Sequence, residues 1–280
     1  MLSYRHSFHA GNHADVLKHF VLVQLLQYLN QKPKPYYMVD THAGAGLYAL
    51  DHSHATKNAE YEQGIAMLLA SGNLPAPLKD YVQLVKGFNP SGGLQHYPGS
   101  PLIAQTLMRP DDRLRLFELH PADIKLLMQN FEHDKHAKIE TSDGFAGLKA
   151  YLPPPSRRGL VLIDPPYEVK DDYKTVVNTL KDALKRFSTG TYAVWYPMLQ
   201  REESLELPEK LKRLPITNWL HVGLQISTLS PDGFGMHGSG LFIINPPWTL
   251  HATLKAVMPF LTKTLGQDDG AAYLLEDFGK

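Results

Sequence analysis

Asp164, Pro165, Pro166 and Tyr167 follow directly on Leu160-Val161-Leu162-Ile163, four apolar and partly β-branched residues. A carboxylate, a carbonyl stiffened by prolines and an aromatic face suit a planar base that carries an amino group. Asp164 and the Pro165 carbonyl can accept both hydrogens of an exocyclic NH2, while the Tyr167 ring stacks on the base. The plainer alternative is a rigid turn after a core strand, because Asp-Pro opens turns commonly. The choice depends on whether further binding residues precede this turn in a fitting order.

Three earlier acids meet that condition. Asp40 closes Tyr36-Tyr37-Met38-Val39 and precedes Thr41-His42-Ala43-Gly44-Ala45-Gly46, where glycines let backbone approach a ligand and His42 projects from the same turn. Gly44-x-Gly46-x-x-Ala49 also matches the dinucleotide fingerprint. An acid before the glycines, with no strand-end acid about 20 residues later, fits a nucleoside joined to an amino acid better. Glu118 closes Arg113-Leu114-Arg115-Leu116-Phe117, placed to accept from both hydroxyls of a ribose. Asp143 follows Ile139-Glu140-Thr141, beside Gly144 for close backbone approach and Phe145 as an apolar wall, and can accept from an adenine amine. Each acid alone is ordinary turn chemistry; four at the ends of successive strands form a pattern.

The elements that deliver them read as an α/β chain. The apolar run before Asp164 predicts a central parallel strand buried on both faces, with its acid at the carboxyl end where open α/β sheets bind ligands. A helix is predicted over 13–30, capped by Asn12, with Asp15 in its first turn and Lys32-Pro33-Lys34-Pro35 ending it. Lys18 and His19 are polar residues inside that apolar helix, either a solvated stripe or a face turned to the pocket. Residues 1–12 lack an apolar period and are expected to form a mobile tail. Helical periods at 58–71 and 78–88 fall in an overlong gap between strands, so 52–97 reads as a small helical insertion. Ser100 is expected to cap the returning helix, with Pro101 in its first turn. A helix near 171–187 and strands at 191–196, 217–228 and 240–245 complete the order, with a Gly-rich loop at 230–240 near the rim. Asn245-Pro246-Pro247-Trp248 imitates the first motif but ends the last strand, far in order from the glycine turn, and is read as structural.

Composition narrows the classes. A chain of 280 residues suits one large domain, and 28 basic against 28 acidic side chains give no charged tail. No signal-like apolar core opens the sequence and no stretch approaches about 18 apolar residues, so a cytoplasmic protein without a membrane segment is expected. The absence of cysteine excludes disulfides, thiolate metal sites and a thiol nucleophile. The 14 histidines scatter without paired ligand spacing, and no metal is expected.

The chain resembles class I S-adenosylmethionine-dependent methyltransferases acting on the N6 amine of adenine, and more narrowly the 23S rRNA (adenine-N6)-methyltransferase family, RlmJ. The resemblance covers essentially the whole chain, with no departure from the family pattern. It rests on Phe8-His9-Ala10-Gly11-Asn12-His13-Ala14-Asp15-Val16-Leu17-Lys18-His19, on Asp40-Thr41-His42-Ala43-Gly44-Ala45-Gly46 and on Asp164-Pro165-Pro166-Tyr167. It implies a single Rossmann-like domain over 1–280, with a mostly parallel seven-stranded sheet, helices on both faces and the helical insertion. It implies catalysis by Asp164, Pro165 and Tyr167. S-adenosylmethionine would be held by Lys18, His19, His42, Ser100, Glu118, Asp143, Gly144 and Asp164. Tyr4 and His6, in the 1–12 segment, would lie over the substrate base. The implied partner is 23S ribosomal RNA, as free or early-assembly RNA, met by a monomer. Rival readings are a DNA adenine methyltransferase, a protein-glutamine methyltransferase, which prefers Asn before the two prolines, and a non-enzymatic binding module.

Overall fold

The computed structural model describes residues 6–50 and 59–278. Its sheet is built outward from β6 (Gly159–Ile163), which lies between β1 (Tyr37–Asp40) and β7 (Thr191–Met198) and parallel to both. Side chains alternate along such a strand. Leu160 and Leu162 therefore enter one core and Val161 and Ile163 the other, which is why the run is apolar throughout. On the far side of β1 come β4 (Arg113–Phe117) and β5 (Ala137–Glu140), also parallel. Beyond β7 lie β9 (Gly238–Ile244), β8 (Trp219–Gln225) and β10 (Ala272–Asp277), each antiparallel to its neighbour.

The sheet thus has 8 strands in the order β10-β8-β9-β7-β6-β1-β4-β5, one more than the seven expected. The additional strand, β10, lies at the edge, and its first three residues are exposed, so it lacks the buried apolar run that marks the others. The last hairpin is shifted from its expected place, because β8 stops at Gln225 rather than 228 and β9 begins at Gly238 rather than 240.

One face of the sheet is covered by α1 (His13–Asn30), whose residues are buried almost all round. A helix apolar on every side belongs in an interior. Asn12 caps it, its Oδ1 accepting from the Ala14 and Asp15 amides at 2.9 and 3.0 Å. The insertion is bracketed by an antiparallel pair, β2 (Leu47–Ala49) with β3 (His96–Pro98). Between them lie α2 (Ile65–Ala70) and α3 (Ala76–Gly87); 51–58 falls outside the described residues. The chain returns through α4 (Ser100–Leu107), then α5 (Asp123–Asn130) and one turn, α6 (Gly144–Gly147). The second face is covered by α7 (Asp171–Arg186) and α8 (Glu202–Lys212), while α9 (Leu250–Leu265) packs in the first core. No helix among the described residues is long and apolar enough to cross a membrane.

Candidate active site

Asp40, Glu118, Asp143 and Asp164 all lie at the carboxyl ends of parallel strands, along one rim. A cleft of about 650 Å³ opens there. Lys18, His19, His42, Ser100, Glu118, Asp143, Gly144, Asp164, Pro165, Tyr167 and His6 all line it. Tyr4 lies outside the described residues. Asp40 sits behind the wall, fully buried, its carboxylate accepting from Ser100 Oγ at 2.7 Å and the His42 amide at 3.2 Å. Burial raises its carboxyl to about 6.

The centre of the site is a chain of charges that crosses from helix to sheet. Lys18 Nζ lies 2.6 Å from Asp164 Oδ2 and 2.9 Å from Asp15 Oδ1. Asp15 Oδ2 in turn accepts from His6 Nε2 and from the Gly11 amide, both at 2.9 Å. Burial opposes the charge on both members, yet the ion pairs outweigh it. The Lys18 ammonium is held above its usual range by Asp15 and Asp164. The Asp15 carboxyl is held well below its own by His6, Lys18 and His19. Asp15 is therefore more than a first-turn acid. Its spacing of three from Lys18 and four from His19 puts all three on one helix face, a signal the sequence carried.

Sequence reasoning left Lys18 and His19 between stripe and pocket, and burial decides for the pocket. His19 Nδ1 pairs with the Tyr97 hydroxyl at 2.7 Å, its Nε2 has no partner, and burial lowers it to about 3. His42 rests edge-on against Phe145 at 4.8 Å, and loss of solvent lowers it to about 3.

Several expected roles change. Ser100 is the first helical residue, not the cap, which is Gly99; the serine hydroxyl instead holds Asp40. Gly44 has φ +64°, and a Cβ there would meet the Tyr48 hydroxyl at 2.2 Å, so the glycine makes room for protein while it also lines the cleft. At Gly144, likewise in the lining, a Cβ would lie 2.0 Å from the Thr41 carbonyl oxygen. Asp143 spends one oxygen on the Phe145 amide at 2.9 Å, as the cap of α6. Glu118 accepts from the Gly44 amide at 2.7 Å and from the His120 amide at 2.6 Å, tying β4 to the glycine turn.

Tyr167 is only 2% exposed, with its hydroxyl donating to the Trp195 carbonyl at 2.7 Å. Its φ of +52° is unusual for a bulky residue and turns the chain sharply after the prolines. Tyr167 borders the cleft beside Trp195, a lining residue that sequence reasoning missed. Arg201, also missed, reaches the same rim, and so does Met236, from the Gly-rich loop that the sequence placed near it.

The tail is not loose over its described part. His6–Phe8 forms a 3-10 turn, and the segment through Asn12 is tied by side chains to Asp15 and Glu60. These are polar contacts over distance in sequence, invisible to apolar periodicity. Asn245 lies on the opposite rim, since β9 runs against β7. Its Nδ2 donates to the Ser188 and Gly190 carbonyls, both at 2.8 Å. No group of three or more His, Cys, Asp or Glu among the described residues is placed to hold a metal ion.

This strand order, with its acids gathered on one rim, defines a class I methyltransferase fold. The family model described as "Ribosomal RNA large subunit methyltransferase D, RlmJ" matches residues 33–275. The chain belongs to that family of methyltransferases. It is 50% identical over 265 residues to "Ribosomal RNA large subunit methyltransferase J" of Escherichia coli, covering 95% of this chain and 94% of that one. A protein of the same name from Haemophilus influenzae is 47% identical over 277 residues, covering 99% and 98%. A crystal structure of a Legionella pneumophila protein superposes with a TM-score of 0.90 at 37% identity, over 97% of this chain and 99% of the other.

Proposed function

We propose that this enzyme methylates the N6 amine of an adenine flipped out of 23S ribosomal RNA, with S-adenosylmethionine as donor. The observation that carries the reading is Asp164-Pro165-Pro166-Tyr167 at the tip of β6, in the same cleft as Glu118, Asp143 and His19. The cleft residues fit the donor. Glu118 offers a carboxylate to ribose hydroxyls, Asp143 has acceptor capacity for an adenine amine, and the buried His19 Nε2 makes no hydrogen bond, with Asp15 Oδ1 3.9 Å away. Lys18, His42, Ser100 and Gly144 complete the donor's wall. When bound, the donor supplies a methyl group on an electron-poor sulfonium.

The residues of the chain then have to improve a poor nucleophile, because the adenine N6 lone pair is delocalised into the ring. Lys18 engages Asp164 Oδ2, which leaves Oδ1 to accept one amine hydrogen. The Pro165 carbonyl accepts the other, so the nitrogen becomes pyramidal and its lone pair is freed. Asp164 Oδ1 holds the proton the nitrogen sheds. Tyr167 and Trp195 border the base, and Tyr4 and His6 cover it from the side of the tail. A paired base cannot reach this depth, so the substrate adenine must leave its stack.

The test is incubation with labelled S-adenosylmethionine and, in parallel, naked 23S rRNA, assembled large subunits and DNA. Label on the N6 position of one adenine in naked rRNA is expected. Label confined to DNA, or on another atom, would overturn the proposal.

A further inference from the structure

We propose that Glu60, in the inserted segment, is a positioning residue that latches the 6–12 strap over the cleft. The proposal rests on the RNA-methylation reading for its kinetic consequence alone. Glu60 begins a short 3-10 helix, Glu60–Gln63, before α2. Its two oxygens accept from His9 Nδ1 at 2.9 and 3.0 Å, and Oε2 also accepts from Asn12 Nδ2 at 2.9 Å. One carboxylate thus grips the strap at two points, and at the second it grips the residue that caps α1.

The backbone agrees with the side chains. The Ile65 amide donates to the Gly11 carbonyl at 2.8 Å. Gly64 packs so closely on the strap that a Cβ there would lie 2.1 Å from the Gly11 oxygen and 2.7 Å from Asn12 Cα. Beyond the latch, Gly11 and His6 both bind Asp15, which holds Lys18, which holds Asp164. Glu60 itself is absent from the cleft lining, whereas His6, His9 and Asn12 belong to it. The insertion therefore acts on the site through the strap, without touching the reacting atoms.

The groups facing Glu60 in this latch come from two places. His9 and Asn12 lie on the strap, and His13 and Asp15 on α1. The carboxylate of Glu60 holds the His9 ring above its ordinary range and is itself held below its own. The pair is partly solvated, with side chains 36% and 32% exposed, so it can open without unfolding the core.

Two measurements test the latch on Glu60→Ala and Glu60→Gln. The first is amide hydrogen exchange over 6–12 in the full chain without RNA, which does not depend on the base methylated. Faster exchange in Glu60→Ala, with core amides and thermal midpoint kept, is expected; unchanged exchange overturns the latch. The second is kinetics with naked 23S rRNA. Glu60→Ala is expected to lower kcat/KM for RNA at least tenfold while S-adenosylmethionine affinity stays within twofold, with Glu60→Gln between it and wild type because one acceptor for Asn12 survives. Full activity on RNA in Glu60→Ala would overturn the positioning role. If wild type shows no RNA methylation at all, the functional reading fails, and exchange alone decides the latch.

Discussion

Replacing Asp164 with Ala removes the acceptor proposed for the substrate amine but leaves Lys18 its second carboxylate, Asp15, 2.9 Å away. The fold is therefore expected to survive while methyl transfer falls on the order of 10²–10⁴-fold, as for other proton-handling groups. Labelled transfer beside circular dichroism checks this, and near-normal turnover would refute the catalytic role. Asp15 behaves differently, because it holds Lys18, His6 and the Gly11 amide from a site only 1% exposed. Asp15→Asn keeps the shape but strands the buried ammonium with one partner. Breaking a buried pair costs about 3–5 kcal/mol, so urea unfolding should move to clearly lower concentration. An unchanged midpoint would show that the chain of charges carries little stability. Glu118→Ala should weaken S-adenosylmethionine binding tenfold or more, from a lost charge-assisted bond of about 1.5–3 kcal/mol and a loosened Gly44 turn. Calorimetry reads that shift, and unchanged affinity would place the ribose elsewhere.

At the scale of elements, α1 joins stability to pH. His13 and His19 lie buried on it, and burial lowers them to about 4 and about 3, against an ordinary 6.5. Between those values the unfolded chain holds protons that the folded chain refuses, so stability is lost as pH falls below about 6.5, by about 1.4 kcal/mol per pH unit for each group. Asp40 opposes this, since its carboxyl is raised to about 6 and the folded chain takes that proton first as pH falls toward 4. Urea midpoints from pH 6.5 to 4.5 should fall, more steeply in Asp40→Asn and less so in His13→Gln. A flat profile would count against these assignments. The strands ending in Asp40 and Asp164 were legible because burial on two faces demands an apolar run, and the one before Glu118 because Arg and Leu alternate along it. The cap at Asn12 and the break after α1 were legible because they are local. β10 was not, being exposed at an edge, and α8 and α9 carry Pro208 and Pro259 within them, which masks a helical pattern. Nor was the 6–12 strap, since Glu60 holds it from 48 residues beyond Asn12.

For the whole molecule, strand direction decides which of two similar motifs works. β6 brings Asp164 to the cleft, while antiparallel β9 sends Asn245 to the far rim, where it ties down a loop. Direction also fixes what the floor of the cleft contains: Asp15 and Asp164 around Lys18, two anions to one cation, out of solvent and weakly screened by salt. Counted over these three groups, that floor has an excess of one negative charge. The sulfonium donor proposed here would balance the excess, and methyl transfer would remove the balance, because the thioether left behind is uncharged at sulfur. On the proposed reaction these groups make the spent donor the poorer occupant, and turnover carries its own means of clearing the site. Calorimetry should find S-adenosylmethionine bound more tightly than S-adenosylhomocysteine at pH 8, with the preference reduced in Asp164→Asn; equal affinities in the unaltered enzyme would mean that the floor does not sense the charge it loses.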